Sequence, residues 1–222
     1  MTLTRSQLAG LIEHTQLRIN TTEADIRDLC AQAIEHRFYS VVVNPVWIGT
    51  ASSELTGTPI KVVAVAGFPL GANRTDIKVA EACESAEDGA HEIDLVANIG
   101  WLVSNRYLDV EAELRKVRRH LPEAIVLKVI VEAGQLSDKQ VQEAAKVVFN
   151  SGAQYVKTGT GFFGGVTVQQ VQTLASVTQG RIGIKAAGGI RTLADCRALL
   201  EAGATRLGCS SSIEILREFD QL

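Results

Sequence analysis

Net charge is what this sequence has least of. Its 22 Lys and Arg stand against 25 Asp and Glu, a balance of −3, which leaves no electrostatic case for nucleic acid or an anionic membrane as partner. The one basic cluster, Arg115-Lys116-Val117-Arg118-Arg119, falls at the end of a predicted helix, where cations suit the dipole. Cysteine is sparse and scattered. Cys30, Cys83, Cys196 and Cys209 form no Cys-x-x-Cys pair and have no zinc-like spacing with the histidines, so reduced thiols of a cytoplasmic protein are expected. No apolar run of signal-peptide length lies between Met1 and Gly10, and no stretch is long enough to span a membrane. No metal-ligand cluster and no nucleotide loop is found, so no cofactor and no metal are expected. No Pro-rich or low-complexity break divides the chain, and its 222 residues suit one α/β domain, residues 1–222.

What is present is an alternation of short apolar strands and helices. Strands are predicted over 11–15, 38–43, 60–66, 91–97, 125–132, 154–157, 181–186 and 205–209. Helices are predicted over 24–36, 76–88, 107–120, 138–150, 168–178, 193–202 and 212–219, with none assigned between the second and third strands. Thr21-Thr22-Glu23, Ser137-Asp138 and Thr192 supply capping signals. Strands this short and apolar are those of a parallel sheet buried on both faces. The order reads as a (β/α)8 TIM barrel in a single domain. A doubly wound open sheet lacks support, because no Gly-x-Gly-x-x-Gly opens the first strand–helix turn.

The chemistry centres on Tyr155-Val156-Lys157-Thr158-Gly159-Thr160-Gly161-Phe162. Here a strand ends in a lysine and a Thr/Gly-rich turn follows. Alternation sends Tyr155 and Lys157 inward and Val156 outward. The same rule turns Glu92, Asp94 and Val96, then Lys128, Ile130 and Glu132, then Gly183 and Lys185 into the barrel. Branched apolar side chains normally fill that space, and buried charges must be paired or must shift their pKa. Lys128 and Glu132 read as an internal ion pair that holds the barrel together. Asp94, Lys157 and Lys185 read as function. Lys157 and Lys185 lie on neighbouring strands, about 4.8 Å apart, so one of the two should titrate low. A neutral amine is what Schiff-base chemistry needs, and Asp94 can move protons for it.

Gly188 and Gly189 follow the seventh strand, and Ser210 and Ser211 follow the eighth and open the terminal helix. Glycines let backbone N–H groups approach a ligand, and a helix N-terminus favours an anion. Phosphate sites of this fold use those two loops. The residues alone leave several readings open: an aldolase or transaldolase of some phosphosugar, a barrel isomerase or lyase without a covalent imine, or a silent phosphosugar-binding protein.

Along nearly its whole length the chain resembles the deoxyribose-phosphate aldolases, a class I aldolase family. The resemblance is carried by Gly67-Phe68-Pro69-Leu70-Gly71, Glu92-Ile93-Asp94-Leu95-Val96, Leu127-Lys128-Val129-Ile130-Val131-Glu132, the stretch from Tyr155 to Phe162, Lys185-Ala186-Ala187-Gly188-Gly189-Ile190-Arg191 and Arg206-Leu207-Gly208-Cys209-Ser210-Ser211. It implies reversible cleavage of 2-deoxy-D-ribose 5-phosphate to D-glyceraldehyde 3-phosphate and acetaldehyde. It implies Lys157 as the imine-forming lysine, and Asp94, with an ordered water, as proton donor and acceptor. Lys185 is implied as the second lysine, which keeps Lys157 deprotonated. It also implies a supporting role for Lys128 in the same inner layer, the phosphate-binding loops at Gly188, Gly189, Ser210 and Ser211, and a homodimer. The chain departs from the family at Gly159, where members usually carry Ser, and the expectation is a looser turn beside Lys157. It departs again at Glu13-His14-Thr15-Gln16-Leu17-Arg18, usually Asp-His-Thr-Leu-Leu-Lys, at the position near the substrate hydroxyls. The tail Asp220-Gln221-Leu222 shows no terminal tyrosine, and slower enamine protonation, or a substitute donor, is expected.

Overall fold

The computed structural model describes residues 3–221. Met1, Thr2 and Leu222, on which parts of the two terminal expectations fall, lie outside them. The strands are β1 (Ile12–Gln16), β2 (Ser40–Val43), β3 (Lys61–Ala66), β4 (Glu92–Val96), β5 (Val126–Ile130), β6 (Tyr155–Lys157), β7 (Gly183–Ala187) and β8 (Arg206–Cys209). They pair in chain order into a closed barrel, and every pairing is parallel, with β8 returning to β1. The helices are α1 (Arg5–Ala9), α2 (Glu23–His36), α3 (Ile48–Glu54), α4 (Thr75–Glu87), α5 (Ile99–Val103), α6 (Tyr107–His120), α7 (Asp138–Asn150), α8 (Val168–Thr178), α9 (Leu193–Glu201) and α10 (Ser212–Asp220).

Local sequence explains most of these boundaries. Thr22, Ser137, Thr167 and Thr192 close reciprocal capping boxes with Asp25, Gln140, Gln170 and Asp195, so each start satisfies amides that would otherwise lack partners. The helices missing from the sequence reading are the short ones, α1, α3 and α5. In α3, Gly, Ser and Thr are poor helix formers. Its buried Ile48 and Ala51 supply the tertiary packing that makes a single short helix stable.

Alternation divides the strand residues between two environments. Ile93, Leu95, Leu127, Val129, Val156, Ile184, Ala186 and Leu207 belong to the apolar layer between strands and helices. Inside the barrel, Val42, Val63 and Val65 form a separate apolar patch with Leu17 and Phe68. Much of the rest of the interior is charged: Glu13, Asp94 and Lys128 are fully buried, and Glu92, Lys157 and Lys185 nearly so. A second buried ion pair lies outside the barrel. Lys78 Nζ bonds Glu113 Oε1 at 2.7 Å and the Val96 carbonyl at 2.9 Å, tying α4 and α6 to the carboxyl end of β4. Among the described residues no helix is long and apolar enough to cross a membrane.

Candidate active site

The site is built from the inward residues of adjacent strands. Register puts Asp94 beside Lys128 across β4 and β5, and Lys157 beside Lys185 across β6 and β7. Asp94 is the hub. Its Oδ2 accepts hydrogen bonds from Lys157 Nζ at 2.8 Å and Lys185 Nζ at 2.6 Å, and its Oδ1 accepts from Lys128 Nζ at 3.0 Å. The expected trio of Asp94, Lys157 and Lys185 is therefore in contact, with Lys128 directly beneath it.

One expectation about the network is corrected. Lys128 does not pair with Glu132. Its partners are Glu92 Oε2 at 2.6 Å, Asp94 Oδ1 and Glu13 Oε2 at 3.3 Å. Glu132 lies beyond the end of β5 in left-handed backbone, φ 49° and ψ 58°. Strand alternation no longer governs its direction there, and its carboxylate bonds Thr160 instead. Around Gly159 the turn is tied on both sides: Thr160 bonds Glu132, and Thr158 Oγ1 exchanges hydrogen bonds with Ala187.

Glu13 is the residue that sequence reasoning left out of the interior. It is fully buried, its Oε2 bonds Lys185 and Lys128, and its Oε1 has no hydrogen-bond partner among the described residues. The parity rule applied to β1 would have found it, since Ile12 joins the outer apolar layer and the next residue must face in. Glu92 continues the network to the floor of the barrel. Its Oε1 accepts from Tyr39 at 2.5 Å, and the Arg206 guanidinium lies 3.8 Å from the Tyr39 ring centroid.

These contacts set the titration of the site. Burial is the largest influence on Lys157 and lowers its pKa. Asp94 opposes and Lys185 assists, and the outcome is about 8. The lysine pair thus acts in the expected direction, as the lesser partner of desolvation. Burial alone would raise Asp94, but Lys128, Lys157 and Lys185 together hold it well below the usual carboxylate range. Burial alone would lower Lys128, but Asp94, Glu13 and Glu92 override it and push its pKa up. One ammonium is locked on while its neighbour, Lys157, can lose its proton near neutrality.

Above Lys157 opens a cleft of about 270 Å³, lined by Thr160, Gly161, Phe162, Gly188, Gly189, Ser210 and Ser211 among others. All the predicted anion-loop residues face this one cleft. Gly188 and Gly189 have φ of 109° and 71°, values open to glycine at little cost, so only glycines give this loop its shape cheaply. Ser211 precedes α10 without a side-chain cap bond, which leaves the first amides of that helix free for an anion. Sequence reading passed over His14, which steadies this loop from behind. Its ring bonds Ser212 Oγ and Gln32 Oε1, each at 2.9 Å. Gly208 also has a spatial role, since a Cβ there would come within 2.9 Å of Lys185 Cε.

The family described as DeoC/LacD family aldolase matches residues 9–216. The chain belongs to the DeoC/LacD aldolase family. It is 50% identical over 210 residues to the deoxyribose-phosphate aldolase of Deinococcus radiodurans, covering 94% of this chain and 95% of that protein. It is 43% identical over 220 residues to that of Caldicellulosiruptor saccharolyticus, covering 97% of this chain and 100% of that protein. Among solved structures, the tetrameric deoxyribose phosphate aldolase of Aeropyrum pernix superposes with a TM-score of 0.89 at 32% identity, covering 98% of this chain and 92% of that one.

In this aldolase the lowered Lys157 sets a pH dependence. Only the neutral amine attacks a carbonyl. The rate at which an aldehyde probe is trapped on Lys157 should therefore rise about tenfold per pH unit at low pH. It should level off above about 8. Stopped-time reduction and mass analysis across pH 6 to 10 reads it, in roughly one-unit steps. A midpoint near the ordinary lysine value would contradict the site's electrostatics.

Proposed function

We propose that this aldolase cleaves 2-deoxy-D-ribose 5-phosphate reversibly to D-glyceraldehyde 3-phosphate and acetaldehyde, through an imine on Lys157. One observation carries the reading. A buried amine with a pKa of about 8 shares Asp94 Oδ2 with a second lysine, directly below a cleft lined by Gly188, Gly189, Ser210 and Ser211. The named relatives above support the choice of sugar.

In this reading the 5-phosphate lies against Gly188, Gly189, Ser210 and Ser211, and the open-chain aldehyde carbon reaches Lys157 Nζ. Attack gives a carbinolamine, and loss of water gives the protonated imine. The 3-hydroxyl gives up its proton, the C2–C3 bond breaks, and its electron pair flows into the iminium to leave an enamine. Glyceraldehyde 3-phosphate departs. Protonation of the enamine carbon and addition of the water then release acetaldehyde and restore the amine. Asp94, held ionised by the lysines around it, accepts and orders, working with a water. Lys185, bonded to the same oxygen, supplies and takes back the proton. Lys128 supports by fixing the Oδ1 side of Asp94. The reading takes the whole barrel as one catalytic domain. It takes the protein as a cytoplasmic homodimer, the location supported by four free thiols and the assembly open to sedimentation.

The test is borohydride reduction in the presence of deoxyribose 5-phosphate, followed by peptide mass mapping. An acetaldehyde-derived adduct on Lys157 is the expected result. An adduct on Lys185 or Lys128 overturns the assignment of the nucleophile. Bound substrate with no adduct overturns the imine mechanism.

A further inference from the structure

Glu132 carries two costs that the reaction above does not use. It is a non-glycine residue at φ 49°, and left-handed backbone is sparsely populated for such a residue. Its side chain is buried, with the residue 4% exposed. Among the described residues no cation forms an ion pair with it, Lys128 being taken by Glu13, Glu92 and Asp94. A buried acid without a cation survives only if hydrogen bonds replace the lost water. Both of its bonds come from Thr160. Glu132 Oε2 accepts the Thr160 N–H at 2.9 Å and the Thr160 O–H at 2.6 Å.

The consequence falls on the turn that follows the nucleophile. Thr160 Oγ1, having donated to Glu132, accepts the Phe162 N–H at 3.1 Å. Thr160, Gly161 and Phe162 all line the cleft, whereas Glu132 sits behind it against a smaller cavity. At Gly161 the turn meets the anion loop, where an added Cβ would lie 3.4 Å from Gly188 Cα. A rigid span thus runs from Lys157 to the phosphate end of the cleft, fixed at Thr158 by β7 and at Thr160 by Glu132.

We propose that Glu132 is a positioning residue for the reaction. Through Thr160 it sets how the turn after Lys157 presents itself to the substrate and to the anion loop. Gly159 lies against it. A Cβ at that position would lie 2.8 Å from Glu132 Oε1, so a side chain there would require the carboxylate end to shift. The inference rests on the reading of Lys157 as nucleophile, and Glu132 itself contacts neither Lys157 nor the cleft.

The experiment compares Glu132→Ala, Glu132→Gln, Thr160→Val and the Glu132→Ala/Thr160→Val pair by amide hydrogen exchange and by borohydride trapping with deoxyribose 5-phosphate. Glu132→Ala and Thr160→Val should each speed exchange at the Thr160 and Phe162 amides. Each should also slow trapping on Lys157 by about tenfold to a hundredfold. The double variant should be no slower than the slower single one, since both cut the same link. Glu132→Gln keeps an acceptor for Thr160 and should recover most of the rate. The acid limb of trapping should stay where the unmodified enzyme has it, because burial, Asp94 and Lys185 set it. Thr160→Val with unchanged exchange and trapping overturns the proposal, as do additive losses or a moved acid limb. Should Glu132→Ala fail to fold, Thr160→Val and Glu132→Gln carry the same comparison. If the unmodified enzyme traps no adduct, the aldolase reading fails, while the exchange rates still report whether Glu132 holds the turn.

Discussion

Replacing Lys157 with leucine should lower turnover of deoxyribose 5-phosphate by about 10⁴-fold or more, the scale of removing a covalent nucleophile. The borohydride-stable adduct should vanish with it. The reason is specific to this amine. Lys185 and Lys128 are equally buried, but Lys128 is held protonated by three carboxylates and Lys185 is tied to both Glu13 and Asp94. Each keeps these bonds when Lys157 is lost. Lys157→Arg separates nucleophilicity from charge. Guanidinium keeps the positive charge and never deprotonates, so this variant should be as inactive as leucine. The fold should survive in Lys157→Leu, because Asp94 retains Lys128 on Oδ1 and Lys185 on Oδ2. The cost should be less than the about 3–5 kcal/mol of stranding a buried charge. Steady-state kinetics beside a urea unfolding curve reads both. Substantial turnover in either variant would remove Lys157 from its assigned role.

Asp94→Asn should act on two quantities in opposite senses. Turnover should fall by about 10²- to 10⁴-fold, the usual contribution of a positioned acid–base group. Meanwhile the acid limb of imine trapping should move to lower pH. Asp94 raises the pKa of Lys157, while burial and Lys185 lower it toward about 8. Removing the carboxylate leaves burial and Lys185 opposed only by the smaller raising influence of Glu13, so the neutral amine persists further into acid. Stability follows the same sign. A lysine whose folded pKa lies below its unfolded value binds fewer protons folded than unfolded across that interval, so stability rises with pH there. The penalty is full below about 8 and fades as pH rises toward the ordinary lysine range. In Asp94→Asn the interval should open at lower pH, and stability near neutrality should drop by about 3–5 kcal/mol, since three ammonium groups lose their common acceptor. An acid limb that stays in place, or moves upward, would contradict the network described here.

Much of this site was legible because parallel strands obey a parity rule. Asp94, Lys128, Lys157 and Lys185 alternate with branched apolar residues, so their common direction can be read from the chain alone. The two loops that line the cleft at Gly188-Gly189 and Ser210-Ser211 were legible because glycine pairs and a serine-opened helix are local features. Where an expectation failed, the local rule had stopped applying. Glu132 stands two residues past its strand in left-handed backbone, where parity has no meaning, and its supposed partner Lys128 had nearer carboxylates. Short α3 went unseen because its stability comes from Ile48 and Ala51 packing inward rather than from its composition.

By itself, the sequence determined the alternation of elements, the closed parallel barrel they imply, the family, and which lysines and which aspartate face inward. Only the tertiary structure decided who pairs with whom. It brought Glu13 from the first strand onto Lys185 of the seventh, made Asp94 the acceptor of three ammonium groups, and turned Glu132 away to hold Thr160. The physical reason is range. Periodicity and capping act over a few residues and are written in local order. A pKa and an ion pair depend on distances of a few ångströms between groups far apart in the chain, and those exist only once the barrel has closed.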